Sequence, residues 1–247
     1  MYLEVEDVVV FKKIIEAVAN MIDEGTFEAS PEGLKLRSMD SSQISMVDLF
    51  IPKEAFSKFE VPNARRFSIN LQDLLKIIGR AKGMIAVDLA DDSSKISIEL
   101  KSDSKKQFKL PLLDLQQAAI PKEPAIPFEA NIKIKSDSLK ELIKDAGLLA
   151  AYIILDAHDD IFSIEAQGDS GELKTETKKG SPAISEFELK AQKARAMFPS
   201  EYLDKITKAA TGEEAIMVSL KNDAPVKIEY SIQKAKLKYF LAPRIEN

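Results

Sequence analysis

Leu115-Gln-Gln-Ala-Ala-Ile-Pro-Lys-Glu-Pro-Ala-Ile-Pro127 lies at the middle of a 247-residue chain. Pro121, Pro124 and Pro127 fall close together in it. Proline donates no ladder hydrogen bond and favours extended chain, so the stretch reads as a semi-rigid connector rather than as a strand or helix. Both flanks carry the same pattern. Short alternating runs recur, among them Leu34–Leu36, Ile96–Leu100, Phe128–Ile134, Ile161 onward, Glu186–Lys190 and Val226–Tyr230. Asp91-Asp92-Ser93-Ser94, His158-Asp159-Asp160, Gly168-Asp169-Ser170-Gly171 and Asn222-Asp223 punctuate them as turns. Short strands at this spacing predict antiparallel sheet.

Four segments break the alternation with a helical stripe. They are Phe11–Ile22 (Phe11, Ile14, Ile15, Val18, Ile22), Leu71–Ala81 (Leu71, Leu74, Leu75, Ile78), Ser138–Leu148 (Leu139, Leu142, Ile143, Ala146) and Ser200–Ala210 (Tyr202, Leu203, Ile206, Ala209). Asn70 and Ser200 are the expected N-caps, with Gly83, Gly147 and Gly212 near C-terminal ends. The segments begin at 11, 71, 138 and 200, at intervals of 60, 67 and 62 residues. A helix followed by strands, four times over, predicts a duplicated unit used twice in each half. The fold class is therefore α+β: two similar domains of antiparallel sheet with paired helices, at residues 1–114 and 128–247, joined by connector 115–127.

Composition removes several kinds of chemistry. With no cysteine and one histidine, there is no disulfide framework, cysteine nucleophile, thiolate zinc site or two-histidine metal motif. Glycine numbers only 9 and no phosphate-binding glycine loop occurs, so nothing predicts ATP hydrolysis. No apolar run is long enough for a membrane span, and the acidic start lacks a basic leader, so a soluble intracellular protein is expected. Against 40 acidic residues stand 35 basic ones, a net charge of −5. Yet eight of those 35 lie on four short helix faces: Lys12, Lys13, Lys76, Arg80, Lys140, Lys144, Lys205 and Lys208, with Lys82 just beyond the second. If the helices share one side of the sheets, an acidic chain presents one basic surface. The plainer reading is ordinary solvated helix faces, because Glu16, Asp73, Glu141, Asp145, Glu201 and Asp204 lie on the same faces and could form i,i+4 pairs.

Three stretches in order are more specific. Gly33-Leu-Lys-Leu-Arg-Ser-Met-Asp-Ser-Ser-Gln-Ile-Ser-Met46, Leu110-Pro-Leu-Leu-Asp-Leu115, and Pro225–Tyr230 with Leu237-Lys-Tyr-Phe-Leu-Ala-Pro-Arg-Ile-Glu246 resemble the sliding-clamp family, the proliferating cell nuclear antigens (PCNA). The resemblance spans the chain. The lack of cysteine and tryptophan, the short connector and Leu-Ala-Pro-Arg-Ile look archaeal.

The resemblance implies a non-catalytic processivity factor without cofactor or metal. Three subunits would close head to tail around duplex DNA, as a homotrimer or with paralogues, with helices lining the hole and sheet outside. A clamp loader would place the ring. Clients such as DNA polymerase, flap endonuclease and DNA ligase would be tethered through a short PIP-box motif, in replication and repair. The setting would be an archaeal cytoplasm, beside the nucleoid and not at a membrane. Lys12, Lys13, Lys76, Lys144 and Lys208 match basic channel positions of the family; Lys140 and Lys205 join them by helix face, and Arg80 and Lys82 as local substitutes. Ala19 and Glu201 depart from that pattern, standing where some relatives carry a base. Residues matching the client pocket are Met39, Gln43, Ile44, Met46, Pro225, Tyr239, Phe240, Ala242, Pro243 and Ile245, with Ala119, Ile120 and Ile126 from the connector; on periodicity alone Met39 and Met46 read as ordinary core. Ring closure is expected through Lys106–Leu112 and Gly171–Lys178, about Phe108, Lys109, Leu110, Leu173, Lys174 and Thr175.

Two other functions remain to be weighed. A non-DNA adaptor of the same fold would keep the C-terminal pocket and lose the basic helix faces, whereas this chain has both. A carboxylate enzyme would need acids gathered in a pocket; here they are dispersed, and His158 beside Asp159-Asp160 reads as a hairpin end rather than a base.

Overall fold

A computed structural model describes residues 1–90, 93–114, 121–212 and 214–245. The Asp91-Asp92 turn and connector residues Ala119 and Ile120 therefore lie outside the described residues. The chain divides into two compact units: Met1–Ser41, Val47–Pro121 and Ile232–Leu237 form the first, and Ser42–Met46, Lys122–Ser231 and Lys238–Asn247 the second.

In chain order the first half contains β1 (Tyr2–Val5), α1 (Val8–Ala19), β2 (Glu24–Ser30), β3 (Gly33–Met39) and β4 (Ser45–Pro52). It continues with β5 (Lys58–Glu60), β6 (Arg65–Asn70), α2 (Leu71–Ile78), β7 (Met84–Asp88), β8 (Lys95–Lys101) and β9 (Lys105–Pro111). The second half contains β10 (Ala130–Lys135), α3 (Ser136–Gly147), β11 (Tyr152–His158), β12 (Ile161–Gly168), β13 (Gly171–Lys178) and β14 (Ile184–Leu189). It ends with β15 (Lys193–Pro199), α4 (Ser200–Thr207), β16 (Ala215–Leu220), β17 (Val226–Ile232) and β18 (Ala235–Leu241).

In the first unit the order β5-β1-β7-β8-β9 forms one sheet, and β2 pairs antiparallel with both β3 and β6. In the second, β13-β12-β11-β15 forms one sheet, while β10 lies between β14 and β16. Each unit thus repeats a helix-and-strands plan, with α1 beside α2 and α3 beside α4. All the resolved pairings between strands are antiparallel, the hallmark of a chain punctuated by tight turns. Asp159 and Asp160 in the β11–β12 turn have φ of 46° and 59°, the left-handed pair that suits a two-residue hairpin.

The helix stripes face the sheets as their spacing predicts. Phe11, Ile14, Ile15, Val18, Leu71, Leu74, Ile78, Leu139, Ile143, Ala146, Leu203 and Ile206 are buried. Leu75, Leu142, Tyr202 and Ala209 are only half-buried. The ends differ from expectation. Helix α1 starts at Val8, because the Asp7 side chain accepts a bond from the Val10 amide at 3.0 Å and caps it. Asn70 caps α2 as expected, accepting from Asp73 N at 2.9 Å. Ser200 is no cap: it is the first residue of α4, and its buried hydroxyl donates to the Ala150 and Ala151 carbonyls. Gly83 serves no helix end either: α2 ends at Ile78, and a Cβ on Gly83 would collide with the Lys101 carbonyl oxygen across the β7–β8 pair. Among the described residues, no helix is long and apolar enough to cross a membrane.

Candidate functional site

In the first unit the basic residues gather towards the C-terminal end of α2, where the partial negative charge of unsatisfied carbonyls favours cations. Lys76 occupies the last turn and pairs with Asp73 at 2.8 Å. Lys12 pairs with Glu16 at 3.5 Å, and its Cε lies 3.9 Å from where a Gly79 Cβ would stand, so it reaches the end of α2. Exposed Arg80 and Lys82 follow directly, and half-buried Lys13 stands beside Lys12 on α1. No ion pair holds Lys13, Arg80 or Lys82 among the described residues.

The second unit repeats this with α3 and α4. Lys144 lies in the last turn of α3 and Lys208 closes α4; both are exposed and without an ion pair among the described residues. Lys205 is bound to Glu201 at 2.6 Å and lies over the Tyr202 ring. That hydrogen bond holds the Glu201 carboxyl below its usual range, so the acid that departs from the family pattern is spent on a neighbouring lysine. Lys140 corrects the expectation drawn from its helix face. Its side chain is only 18% exposed, and its ammonium donates to the Ala210 carbonyl at 2.6 Å and pairs with Asp137 at 3.2 Å. It ties α3 to the end of α4.

The residues expected to form a client pocket separate into a half-buried or exposed group and a buried one. In the second unit the Ala242 amide donates to the Ile44 carbonyl at 2.8 Å, joining the C-terminal tail to the Ser42–Met46 segment. Gln43 is exposed with φ 58°, a left-handed turn position beside Ile44. Ile44, Ile126, Pro225, Ala242 and Pro243 are half-buried, and Ile245 is 71% exposed. Connector residue Glu123 pairs with Lys238 of β18 at 2.5 Å. Met39 is half-buried in the first unit. Three members belong to the core instead. Met46 and Phe240 are buried, and Tyr239 is fully buried with its ring stacked on Tyr230 at 5.8 Å. Tyr230 donates to the Ile206 carbonyl at 2.8 Å, and burial pushes both tyrosine hydroxyls well up. Alternation along β18 places Tyr239 with Ala235, Leu237 and Leu241, all buried, which is why it faces inward.

The segments expected at ring closure are edge strands. Among the described residues β9 pairs with β8 alone, setting Phe108 against Ile98 and Leu110 against Ile96. Among the same residues β13 pairs with β12 alone, setting Leu173 against Ala166 and Thr175 against Ile164. Phe108, Leu110, Leu173 and Thr175 are half-buried, while Lys109 and Lys174 are exposed. Each strand leaves one side of its ladder unpaired within its sheet, which is how a template for strand addition looks.

His158 ends β11, and its Nδ1 lies 3.6 Å from the buried Asp156 carboxylate. Asp156 is already held by Arg195 at 3.2 Å and Lys193 at 3.6 Å, so the cluster is a charge network on one face of the sheet. Three features escaped the sequence reading. Asp7 as a cap is one, signalled only by an acid preceding an apolar stripe. The Arg244 guanidinium over the Tyr152 ring at 4.3 Å is another, and the close approach of Gly168 to Leu149 is the third. Both of the latter join residues far apart in the chain, so no local pattern announces them.

Residues 1–121 match the family described as "Proliferating cell nuclear antigen, N-terminal domain", and residues 122–245 match the corresponding C-terminal domain. The chain is 34% identical over 243 residues to the DNA polymerase sliding clamp of Methanococcus maripaludis strain C6, covering 96% of each. It is 33% identical over 238 residues to the clamp of Thermofilum pendens, covering 96% of each. Among solved structures, PCNA from Thermococcus kodakaraensis superposes with a TM-score of 0.91 at 23% identity, covering 98% of this chain and 99% of that one. A. fulgidus PCNA, solved with the C-terminal region of FEN-1, superposes with a TM-score of 0.88 at 22% identity, covering 100% and 99%. With both of its halves matched in order and this fold, the chain belongs to the proliferating cell nuclear antigen family.

Proposed function

We propose that this chain is a DNA polymerase sliding clamp, a ring subunit that encircles duplex DNA and tethers replication and repair enzymes to it. The observation that carries the reading is repetition with uncommitted charge. Both units pair two helices, and among the described residues both leave cations on or just beyond those helices without an ion pair: Lys13, Arg80 and Lys82 in one, Lys144 and Lys208 in the other. In a chain of net charge −5 such a lining opposes phosphates loosely and reads no bases. An acidic exterior discourages adsorption elsewhere on DNA. The role needs no catalytic residue, cofactor or metal.

The domain division follows residues 1–114 and 128–247, with 115–127 as connector. Three copies close the ring, β9 of one against β13 of the next, as a homotrimer or with paralogous subunits. Clients such as a polymerase, a flap endonuclease or a ligase dock through a PIP-box motif against Gln43, Ile44, Ile126, Pro225, Ala242, Pro243 and Ile245, and a clamp loader places the ring. The setting is the cytoplasm of an archaeal cell.

The test replaces Lys13, Lys82, Lys144 and Lys208 by alanine together. Loading onto primed DNA and stimulation of a polymerase should fall, while ring mass and binding of a client peptide stay as in the parent. Each lost phosphate contact should flatten the logarithmic salt dependence of DNA binding by about 0.9. Unchanged loading and stimulation at low salt would sink the reading.

A further inference from the structure

The helix pairs of the two units match in their bases and differ in their acids. Helices α1 and α2 together contain three lysines, and so do α3 and α4. The first pair contains one acid per helix, Glu16 and Asp73, and a lysine holds each: Lys12 at 3.5 Å and Lys76 at 2.8 Å. What the first unit leaves unpaired among the described residues is positive: Lys13, Arg80 and Lys82. The second pair contains five acids. Lys140 holds Asp137 at 3.2 Å and Lys205 holds Glu201 at 2.6 Å. Glu141, Asp145 and Asp204 keep no ion pair among the described residues, and they stand against two unpaired bases, Lys144 and Lys208. Just past the helices Asp23 in one unit and Glu214 in the other add one exposed acid apiece, so the difference persists.

Two of the unpaired acids sit where the helix itself disfavours them. Asp145 lies in the last turn of α3, where unsatisfied carbonyls carry partial negative charge. Glu141 is four residues before it on the same exposed stripe, a spacing at which like charges repel. Helix α2 is arranged the other way, with Lys76 in its last turn and Arg80 and Lys82 directly after. Stability of α3 therefore does not account for Glu141 and Asp145, and their effect is on whatever faces that stripe.

We infer that the helices of the first unit hold the duplex and that the α3 face of the second unit repels it. The inference rests on the sliding-clamp reading above and adds which half of each subunit does the holding. Phosphates are attracted by the uncompensated cations of the first unit and pushed off by Glu141 and Asp145, each effect reaching about 8 Å at physiological salt. Lys144 shares its stripe with both acids, so most of its field is cancelled before it reaches a phosphate. A lining that grips with one half of each subunit leaves fewer contacts to break at every step along the duplex.

The experiment titrates a short duplex against the full-length protein by fluorescence anisotropy over a range of salt. Lys13→Ala, Arg80→Ala and Lys82→Ala together should weaken binding at least about tenfold and flatten the logarithmic salt dependence by about 0.9 for each residue replaced. Lys144→Ala with Lys208→Ala should cost clearly less for each residue replaced. Glu141→Gln with Asp145→Asn should tighten binding about threefold at low salt, and the gain should fade as salt screens it. A misfolded variant would not bind more tightly. Glu32→Gln with Glu54→Gln removes the same charge from exposed acids outside the four α-helices and should stay within about twofold of the parent. Equal losses per residue from the two sets of bases, or equal effects of the two pairs of acids, overturn the inference and leave the clamp reading standing. If neither set of bases alters duplex binding, the clamp reading itself fails and takes the inference with it.

Discussion

Ile245 shows how one residue can matter to binding and hardly at all to folding. Its side chain stands mostly in water, so truncation removes little that the folded chain has buried. A client that covers it gains roughly 0.8 kcal/mol for each methylene taken from water. Pro243, half-buried beside it, holds the tail in shape and lowers the ordering cost of association. The double change Pro243→Ala with Ile245→Ala should therefore leave ring mass and melting temperature as in the parent. It should weaken a PIP-box peptide at least about tenfold, or ~1.4 kcal/mol, by titration. Equal affinity would return the tail to ordinary sheet-end packing. Gly168 is the opposite case. Gly168→Ala forces a methyl into the Leu149 carbonyl, and overpacking of this kind costs about 1–3 kcal/mol, readable as a lower denaturation midpoint with the peptide site still saturable.

At the scale of elements, the sequence disclosed more than its boundaries suggest. The stripes of all four helices point inward because periodicity is set by burial, and burial is what the stripe records. Their ends were less legible: α1 begins three residues before Phe11 because Asp7 can cap it, and α4 places Ser200 inside because its hydroxyl finds the Ala150 and Ala151 carbonyls. Capping is decided by which polar group wins a local competition, and several candidates look alike in a sequence. Site residues divide the same way. Lys144 and Lys208 are exposed as their helix positions predict, but Lys140 is diverted to Ala210, a partner some seventy residues on. Tyr239 and Met46 match pocket positions by resemblance, yet both are buried: alternation along β18 turns Tyr239 inward, while Met46 is covered on the β4 face that it shares with half-buried Asp48 and Phe50.

Edge strands give the element-scale prediction. Phe108→Pro in β9 and Thr175→Pro in β13 each remove a backbone donor from a strand paired on one side only. Either change should leave a folded protein by circular dichroism that runs as a monomer in sizing with light scattering. Rings that persist would place closure elsewhere.

For the whole molecule, weak charge and strong topology act together. With −5 overall and a small group of unpaired lysines and arginines on the helices, affinity for short linear duplex should be weak and should fall steeply with salt. Rings loaded on closed circular DNA should nonetheless remain at salt concentrations that abolish that affinity, and one cut in the circle should release them. Loss from intact circles at the same rate as from linear DNA would mean that binding, rather than enclosure, holds the protein.

The strands at the two sheet edges are not alike. β9 carries Lys105, Lys106 and Lys109, whereas β13 carries Glu172 and Glu176 among its lysines. Two β9 strands meeting would set like charges against each other, while β9 meeting β13 offers opposite ones. Copies joined in that way repeat by rotation alone, so each presents the same side upward. A closed assembly then has a heads side and a tails side, and every Ile245 emerges on the same one. Once threaded, such a ring gives the duplex an arrow: an enzyme riding on it knows which way is forward without reading a single base.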